Sequence, residues 1–154
     1  MMKLGESSSV FKGLSINQGS VFKMTLYPKD GVTPPQKEGD ISRTKYFVVI
    51  GKDSDSILVG ALLINTEVNV NLITVIAPYQ YCIYPSDYDF LGSKCRYVDC
   101  YRIKELSYER IVSEGEYIGI ISDADMAHVI DLVRRSPVNK PLILRKYGIF
   151  NVAK

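Results

Sequence analysis

The sequence of 154 residues contains no tryptophan, one histidine and three cysteines. A single histidine cannot form a metal site by itself, and His128 lies beside the apolar stripe of a predicted helix, where a surface or half-buried histidine is the commoner case. The cysteines, Cys82, Cys95 and Cys100, are odd in number and have no C-x-x-C spacing, which is typical of reduced thiols that pack as small hydrophobes. We therefore expect no metal, no other cofactor and no disulfide framework.

The sequence also has no apolar run long enough to span a membrane, and none near residue 1 that resembles a signal peptide. Its net charge of +2 is too small to indicate a nucleic-acid partner by itself, although local clusters of charge still matter. Nucleotide-binding glycine motifs and nucleophile elbows are missing as well. These absences, with the length of one ordinary domain, predict a cytoplasmic protein without a membrane partner.

The strongest positive signal is a hydrophobic hairpin in the first half of the chain. Its arms are residues 45–51 and 57–64, and the polar residues 52–56 between them favour a turn. Both arms are near-continuous apolar runs rich in β-branched residues, which is typical of central strands buried on both faces. A polar loop over residues 32–44 precedes the hairpin, and its length predicts a binding loop or a mobile flap.

The remaining pattern is rich in strands and has one well-defined helix. Strands are predicted over residues 21–27, 74–77, 79–84, 96–103 and 117–121, and a short helix over residues 108–112. Ser122 predicts the start of the main helix, and Ser136-Pro137 predicts its end. The apolar stripe of this helix is Met126, Val129, Ile130 and Val133. The tail over residues 141–150 is interpreted as one more strand.

This pattern predicts a mainly β or α+β fold, namely a small barrel with an amphipathic helix near the C-terminus. Residues 1–18 are Ser- and Gly-rich with isolated apolar residues, which predicts a flexible arm. The barrel domain is expected over residues 19–137. Residues 138–154 then form a C-terminal extension that includes the added strand.

Two groups of polar residues are candidates for chemistry. Arg43 and Lys45 stand at the mouth of the hairpin, where they are either solvated charge at the start of a strand or a cationic site for a phosphate. Arg96, Asp99 and Arg102 lie on one predicted strand, and alternation places the two arginines on the face opposite Asp99. Surface salt bridges are therefore the default interpretation of that stretch. Taken alone, these residues indicate a barrel-like domain that binds something anionic.

Five segments, in the same order along the chain, resemble the MazF/PemK (Kid) toxins of type II toxin–antitoxin systems. Gly19–Gly31 is similar to the family's first strand and its Pro-x-x-Gly turn, and Arg43–Ile50 to its Lys-x-Arg-Pro-x-x-Val-Ile strand. Ile57–Asn65 is similar to the strand that ends in Pro-x-Thr-Ser, and Arg96–Arg110 to the segment that carries Gln-x-Arg-Thr-Ile-Asp. Gly119–Val129 is similar to the closing helix with its Met-x-x-Val. The resemblance spans residues 19–137.

The resemblance implies an SH3-like small barrel of the MazF/CcdB type, usually a homodimer, acting as the toxin of a toxin–antitoxin pair. Members of this family cleave single-stranded RNA without a metal, through attack by the ribose 2′-hydroxyl. The implied partners are therefore single-stranded RNA, a cognate antitoxin and a second copy of the chain. No cofactor is implied.

The chain departs from the family pattern at the residues that carry the chemistry. The family's catalytic arginine falls on Lys45, which keeps the charge but lacks the planar fork that grips a phosphate, and Tyr46 stands in place of the next proline. The family's catalytic Thr or Ser falls on Ile64 or Asn65, with Thr66 one position away. The Arg and Asp of the Kid branch fall nearest Asp99 and Tyr101, so that pair is not kept cleanly.

The resemblance therefore implies a site made of Lys45 with Arg43 to stabilise the phosphorane, and Asn65 or Thr66 to orient the 2′-hydroxyl or the leaving group. The candidate RNA-binding residues are Tyr46, Tyr79, Arg96, Asp99 and Arg102; the tyrosines either stack on unpaired bases or pack in the core or a dimer interface. Two other functions stay open. One is a non-catalytic binding protein on the same barrel, either a degenerate toxin or a gyrase poison like CcdB. The other is an unrelated small-barrel interaction module.

Overall fold

The computed structural model describes residues 16–31, 43–66 and 73–149. Its seven strands are β1 Ser20–Leu26, β2 Arg43–Lys52, β3 Leu58–Asn65, β4 Gln80–Ile83, β5 Arg96–Asp99, β6 Lys104–Ser107 and β7 Glu116–Ile120. Its helices are α1 Ile73–Ile76, α2 Tyr108–Glu114, α3 Asp123–Arg135 and α4 Pro141–Lys146. Most of the predicted arm and most of the predicted long loop lie outside the described residues.

The described strands form one antiparallel sheet in the order β4-β5-β3-β2-β1-β7, and β6 pairs with β3 beside β5. The β2–β3 hairpin is central, as predicted, and its residues alternate between two buried clusters. Val48 and Leu62 belong to one cluster, whereas Phe47 and Leu63 belong to the other. Because both faces are buried, the hairpin reads as a continuous apolar run in the sequence. The sheet curls into a half-barrel, so the predicted α+β barrel class is confirmed.

Helices cover the two faces of the curled sheet. The stripe predicted for the main helix is buried in α3: Met126, Val129, Ile130 and Val133 are all at most 8% exposed and pack on one face. Ser122 caps this helix by accepting a hydrogen bond from the backbone N–H of Asp125 at 3.2 Å. On the other face, Ile111 of α2 is fully buried together with Leu106 and Ile16. Residues 16–18, assigned to the arm, thus lie against the domain.

The predicted strand over residues 96–103 is wrong in its second half. β5 ends at Asp99, a bend follows, and a separate strand β6 begins at Lys104. The bend is held by a buried residue far along the chain, Asn139, whose Nδ2 donates to Cys100 O at 3.2 Å and whose Oδ1 accepts from Ile103 N at 3.0 Å. Ser136 Oγ also donates to Tyr101 O at 2.5 Å. These bonds satisfy backbone groups that a continuous ladder would otherwise pair.

The predicted strand in the tail is also wrong, because Pro141–Lys146 forms the short helix α4. Proline suits the first turn of a helix, where its missing N–H would have no partner. A short apolar run does not distinguish strand from buried helix; here the helix buries Leu144 and delivers Tyr147 and Ile149 to the core. The residues assigned to a C-terminal extension therefore pack on the domain up to Ile149.

The predicted strand over residues 74–77 is replaced by helical turns. Ile73–Ile76 is helical and runs into a 3-10 turn over Ala77–Tyr79, with Pro78 near the start of that turn. Pro78 is tolerated there for the same reason as Pro141. The next predicted strand, over residues 79–84, is confirmed as β4.

Candidate functional site

The candidate site begins with Lys45 and Asn65 at the open end of the central hairpin. Lys45 lies near the start of β2, and Asn65 is the last residue of β3. Since the register pairs Tyr46 with Ile64, the next pair in the antiparallel ladder is Lys45 with Asn65. Lys45 Nζ donates a hydrogen bond to Asn65 Oδ1. Both side chains are half-buried, so the structure brings together two residues of the predicted catalytic set.

The surroundings of Lys45 favour loss of its proton. Its pKa is lowered from 10.5 to about 8, mainly by burial and then by the positive charges of Arg43 and Arg96. Asp99 opposes this shift and is the carboxylate that raises the Lys45 pKa. Arg43 is exposed and lies two residues before Lys45 on the same strand, so alternation places both on one face of the sheet. The result is a cationic site at the open end of the central hairpin.

The same face continues across β5 and β4. Asn65 pairs with Tyr97 in the β3–β5 ladder, and Gln80 pairs with Asp99 in the β4–β5 ladder. Asp99 Oδ1 accepts hydrogen bonds from Gln80 Nε2 at 2.9 Å and from Tyr101 N at 3.0 Å. These bonds fix the Asp99 carboxylate beside the cationic site. Asp99 was identified from the sequence, whereas Tyr97 and Gln80 were missed. Tyr97 lies two residues before Asp99 on β5, and this spacing was a signal that could have found it.

The opposite face of the sheet carries Tyr46 and Arg96. The Arg96 guanidinium lies 4.7 Å from the centroid of the Tyr46 ring, and Lys23 Nζ lies 5.8 Å from it. Arg96 Nε also donates to Leu91 O at 2.6 Å. Arg96 and Asp99 thus lie on opposite faces, as alternation requires. Arg96 still reaches Lys45 through its charge, because it lowers the Lys45 pKa.

Three other candidate residues are not gathered around Lys45 by any described contact. Thr66 is an exposed residue in the bend directly after Asn65. Tyr79 packs against Tyr101, with ring centroids 5.6 Å apart. Arg102 is exposed beyond the end of β5, where its charge acts on Lys104. Their predicted roles stay predictions.

Three further findings concern metal sites, membrane-spanning helices and the cysteines. In residues 16–31, 43–66 and 73–149, no three His, Cys, Asp or Glu side chains come together as a metal site. Over the same part of the chain, no helix has both the length and the apolar character to cross a membrane. The three cysteines are free thiols: Cys82 is half-buried, Cys95 exposed and Cys100 buried.

Comparison with known proteins bears on the fold alone. No protein-family model matches the sequence, and no curated protein matches it. Among solved structures, the chain is similar to a MazE–MazF complex (Form-III) from Deinococcus radiodurans, with a TM-score of 0.51 and 12% sequence identity. The match covers 77% of this chain and 92% of that chain. The chain therefore has a MazF-like fold, an antiparallel sheet curled into a half-barrel with a few helices.

Proposed function

We propose that this chain is a MazF-like toxin that binds single-stranded RNA and cleaves it. The solved structure that it resembles is a MazE–MazF complex, and the five sequence segments that resemble this family lie on the elements that build the half-barrel. The observation that carries the proposal is Lys45, a half-buried cation at the open end of the hairpin, hydrogen-bonded to Asn65 and with a pKa of about 8.

The chemistry asked of this site is an internal transfer of a phosphodiester. The ribose 2′-oxygen bonds to phosphorus and loses its proton, the bond from phosphorus to the 5′-oxygen breaks, and that oxygen takes up a proton. The products are a 2′,3′-cyclic phosphate and a 5′-hydroxyl. Negative charge grows on the non-bridging oxygens as the phosphorane forms, and a fixed cation on a strand end stabilises it without reorganisation.

Lys45 is suited to two parts of this reaction. As an ammonium it stabilises the phosphorane, as the resemblance implies for this position. With a pKa of about 8 it is also a competent acid near neutral pH, able to protonate the leaving 5′-oxygen. Asn65 holds the ammonium in place through its Oδ1. We assign Asp99, the carboxylate whose charge acts on Lys45, the role of accepting the proton of the 2′-hydroxyl.

RNA would be held by the groups around this centre. Arg43 adds exposed positive charge on the Lys45 face, and Tyr97 lies beside Asn65 on that face. Aromatic side chains of this kind stack on unpaired bases, at about 1–3 kcal/mol per base. Tyr46 and Tyr79 are half-buried and already contact Arg96 and Tyr101, so their stacking on bases is a separate prediction.

The first test is incubation of the purified chain with a long single-stranded RNA in the presence of a chelator, followed by mapping of the RNA ends. We expect discrete cuts that leave 2′,3′-cyclic phosphates, and loss of cleavage in Lys45→Ala. Lys140→Ala is the matched control, because Lys140 is exposed at the start of α4, and α4 packs on the other face of the sheet. Absence of cuts across diverse RNA sequences would exclude this function, and equal cutting by Lys45→Ala would exclude the role assigned to Lys45.

A non-catalytic binding protein is the second candidate, and one observation favours it. The Lys45 ammonium is engaged with Asn65, and a lysine cannot also offer the bidentate fork of the arginine that it replaces. A protein of this kind would bind its target without cutting RNA. Wild-type protein that binds RNA, or a protein such as gyrase, while leaving RNA intact would establish this alternative.

We also propose that an antitoxin binds this chain and that the toxin is a homodimer. The support is the fold shared with a MazE–MazF complex and the sequence resemblance. An antitoxin of this class is expected to be acidic or to have a disordered tail that lies along the same cationic site. Light scattering at micromolar concentration tests the dimer, since a monomer there contradicts it. Loss of RNA cleavage on co-expression with the neighbouring gene product tests the antitoxin.

A further inference from the structure

Lys104 is a half-buried lysine on the same sheet that the site described above does not use. It is the first residue of β6 and pairs with Ala61 of β3. Its side chain lies against the turn that follows β1: a Cβ built on Gly31 would be 3.0 Å from Lys104 Cδ and 3.1 Å from Lys104 Nζ. Gly31 has a φ of +91°, so this turn requires glycine both for its conformation and for the passage of the lysine.

No described residue forms an ion pair or a hydrogen bond with Lys104 Nζ, and the described carboxylate that acts on it through charge is Asp99. The four ion pairs among the described residues involve Arg110, Arg135 and Lys146, not Lys104. Among the described residues, Arg134 Nε is the one side-chain atom that is fully buried without a hydrogen-bond partner. Lys104 Nζ has no hydrogen-bond partner either, and it is not in this fully buried class, so it keeps contact with solvent. A half-buried ammonium costs free energy unless an anion compensates for it. Among the described residues only the Asp99 charge compensates for Lys104, and Asp99 Oδ1 is already bonded to Gln80 and Tyr101, so the Lys104 ammonium is free to bind a phosphate.

Lys104 shares a face and a carboxylate with Lys45. Burial and then Arg102 lower the pKa of Lys104, while Asp99 opposes the shift, as it also does at Lys45. Ala61, the partner of Lys104, is four residues from Asn65, the partner of Lys45, so alternation places both lysines on one side of the sheet. Four residues of strand span about 14 Å. The two lysines therefore flank Asp99 along one surface.

We propose that Lys104 binds a second phosphate of the single-stranded RNA, a short distance along the strand from the phosphate at Lys45. This inference rests on the proposed function, because it assigns the substrate a path from Lys45 past Asp99 to the turn at Gly31. Lys104 acts in binding, not in chemistry. The contact between Lys104 and the phosphate adds to the affinity for RNA through charge, and this gain does not depend on the RNA sequence.

The test compares Lys104→Met with Lys140→Met, which removes the same charge from an exposed site on the other side of the sheet. Methionine keeps the apolar stem of the lysine against Gly31, and near-ultraviolet circular dichroism checks that the fold is intact. We expect Lys104→Met to lower the slope of log K against log salt for RNA binding by about 0.7, the value of one contact with a single strand. We expect KM to rise about tenfold with kcat little changed. Lys104→Arg should restore both.

A second arm identifies the phosphate. Once the cut site is known, single methylphosphonates are placed at successive positions of a short RNA, which removes one phosphate charge at a time. At one position the substitution should weaken binding by the wild type but not by Lys104→Met, since the lost contact is already absent there. Equal sensitivity of the two proteins at every position would overturn the inference while leaving the nuclease intact. If the wild type neither binds nor cuts RNA, the proposed function fails, and the phosphate site fails with it.

Discussion

Lys45 Nζ donates a hydrogen bond to Asn65 Oδ1 across the open end of the central hairpin, and the charge held in this pair affects the stability of the fold. The Lys45 pKa is lowered to about 8, which means that the fold disfavours its charged form. A group with a depressed pKa of this kind destabilises the fold below that pKa. The ammonium that the proposed function requires therefore reduces the free energy of unfolding at neutral pH, a trade-off that is common at functional sites.

We expect Lys45→Met to raise the thermal midpoint at pH 7. The folded pKa is about 8 and the unfolded value 10.5, so between these the unfolded chain binds more protons and the wild type gains stability as pH rises. The difference in free energy of unfolding between Lys45→Met and the wild type should thus be largest below pH 8 and decrease towards pH 10.5. Because Lys45 is half-exposed, solvent screening limits the gain to about 1–2 kcal/mol. Thermal unfolding of both proteins from pH 6 to pH 10 measures it, and a gain that does not change with pH contradicts the assignment.

We expect Asn65→Asp to raise the Lys45 pKa. A carboxylate in place of the amide adds a negative charge at hydrogen-bond distance from the ammonium and favours the charged form. Titration of the lysine Cε resonance by NMR reads this directly, without reliance on activity. Thr66→Asp is the matched control, because it places the same charge one residue further on, at an exposed position. An equal shift in the two variants would show that the Lys45–Asn65 contact is not formed in solution.

The sequence predicts the elements that are set by local pattern. The hairpin, β1 and α3 follow from apolar runs, periodicity and the Ser122 cap, and pairing of the hairpin arms is what brings Lys45 to Asn65. The bend over residues 100–103 was not predictable from its own residues, because Asn139 holds it from 36 positions away in the bond to Ile103. Lys104 was missed for a related reason: its side chain lies against Gly31, which is far from it in sequence.

We expect Asp125→Asn to destabilise the protein at neutral pH. Burial raises the pKa of Asp125, but hydrogen bonds from Tyr81, Tyr88 and Ser122 outweigh it, and the pKa lies below its ordinary value. Tyr81 OH donates to Oδ1 at 2.5 Å, and Tyr88 OH donates to Oδ2. The stability that these hydrogen bonds contribute is present above the pKa of Asp125 in the unfolded chain, and it is lost as pH falls through the pKa of Asp125 in the folded protein. Weaker bonds to a neutral amide should cost about 1–3 kcal/mol.

Asp123→Asn provides the control for that experiment, because Asp123 is exposed in the same first turn of α3 and no described residue donates a side-chain hydrogen bond to it. Asp123→Asn should lower the free energy of unfolding only through the lost interaction of the carboxylate with the helix dipole, by about 0.3–1 kcal/mol. Urea unfolding at pH 7 and at pH 3 separates the two variants. The difference between Asp125→Asn and the wild type should shrink at the lower pH, and a constant difference would mean that the tyrosine bonds do not depend on the carboxylate charge.

The C-terminal segment should detach from the sheet in Gly51→Ala. A Cβ at Gly51 would lie 2.2 Å from Tyr147 O, and one at Gly60 would lie 2.8 Å from Tyr147 Cγ, so the two glycines form the surface on which Tyr147 rests. The added methyl group meets backbone that cannot yield by a side-chain rotation, and overpacking of this kind costs about 1–3 kcal/mol. Tyr147 OH, which donates to Glu105 Oε2 at 2.6 Å, should lose that partner as the segment moves.

Hydrogen exchange at Gly148 and Ile149, whose N–H groups bond to Arg145 O and Leu144 O, reports the change. Tyr147→Phe removes the bond to Glu105 and leaves the backbone in place, so it should preserve the protection of both N–H groups. Protection in Gly51→Ala as strong as in Tyr147→Phe would show that the segment packs elsewhere on the sheet.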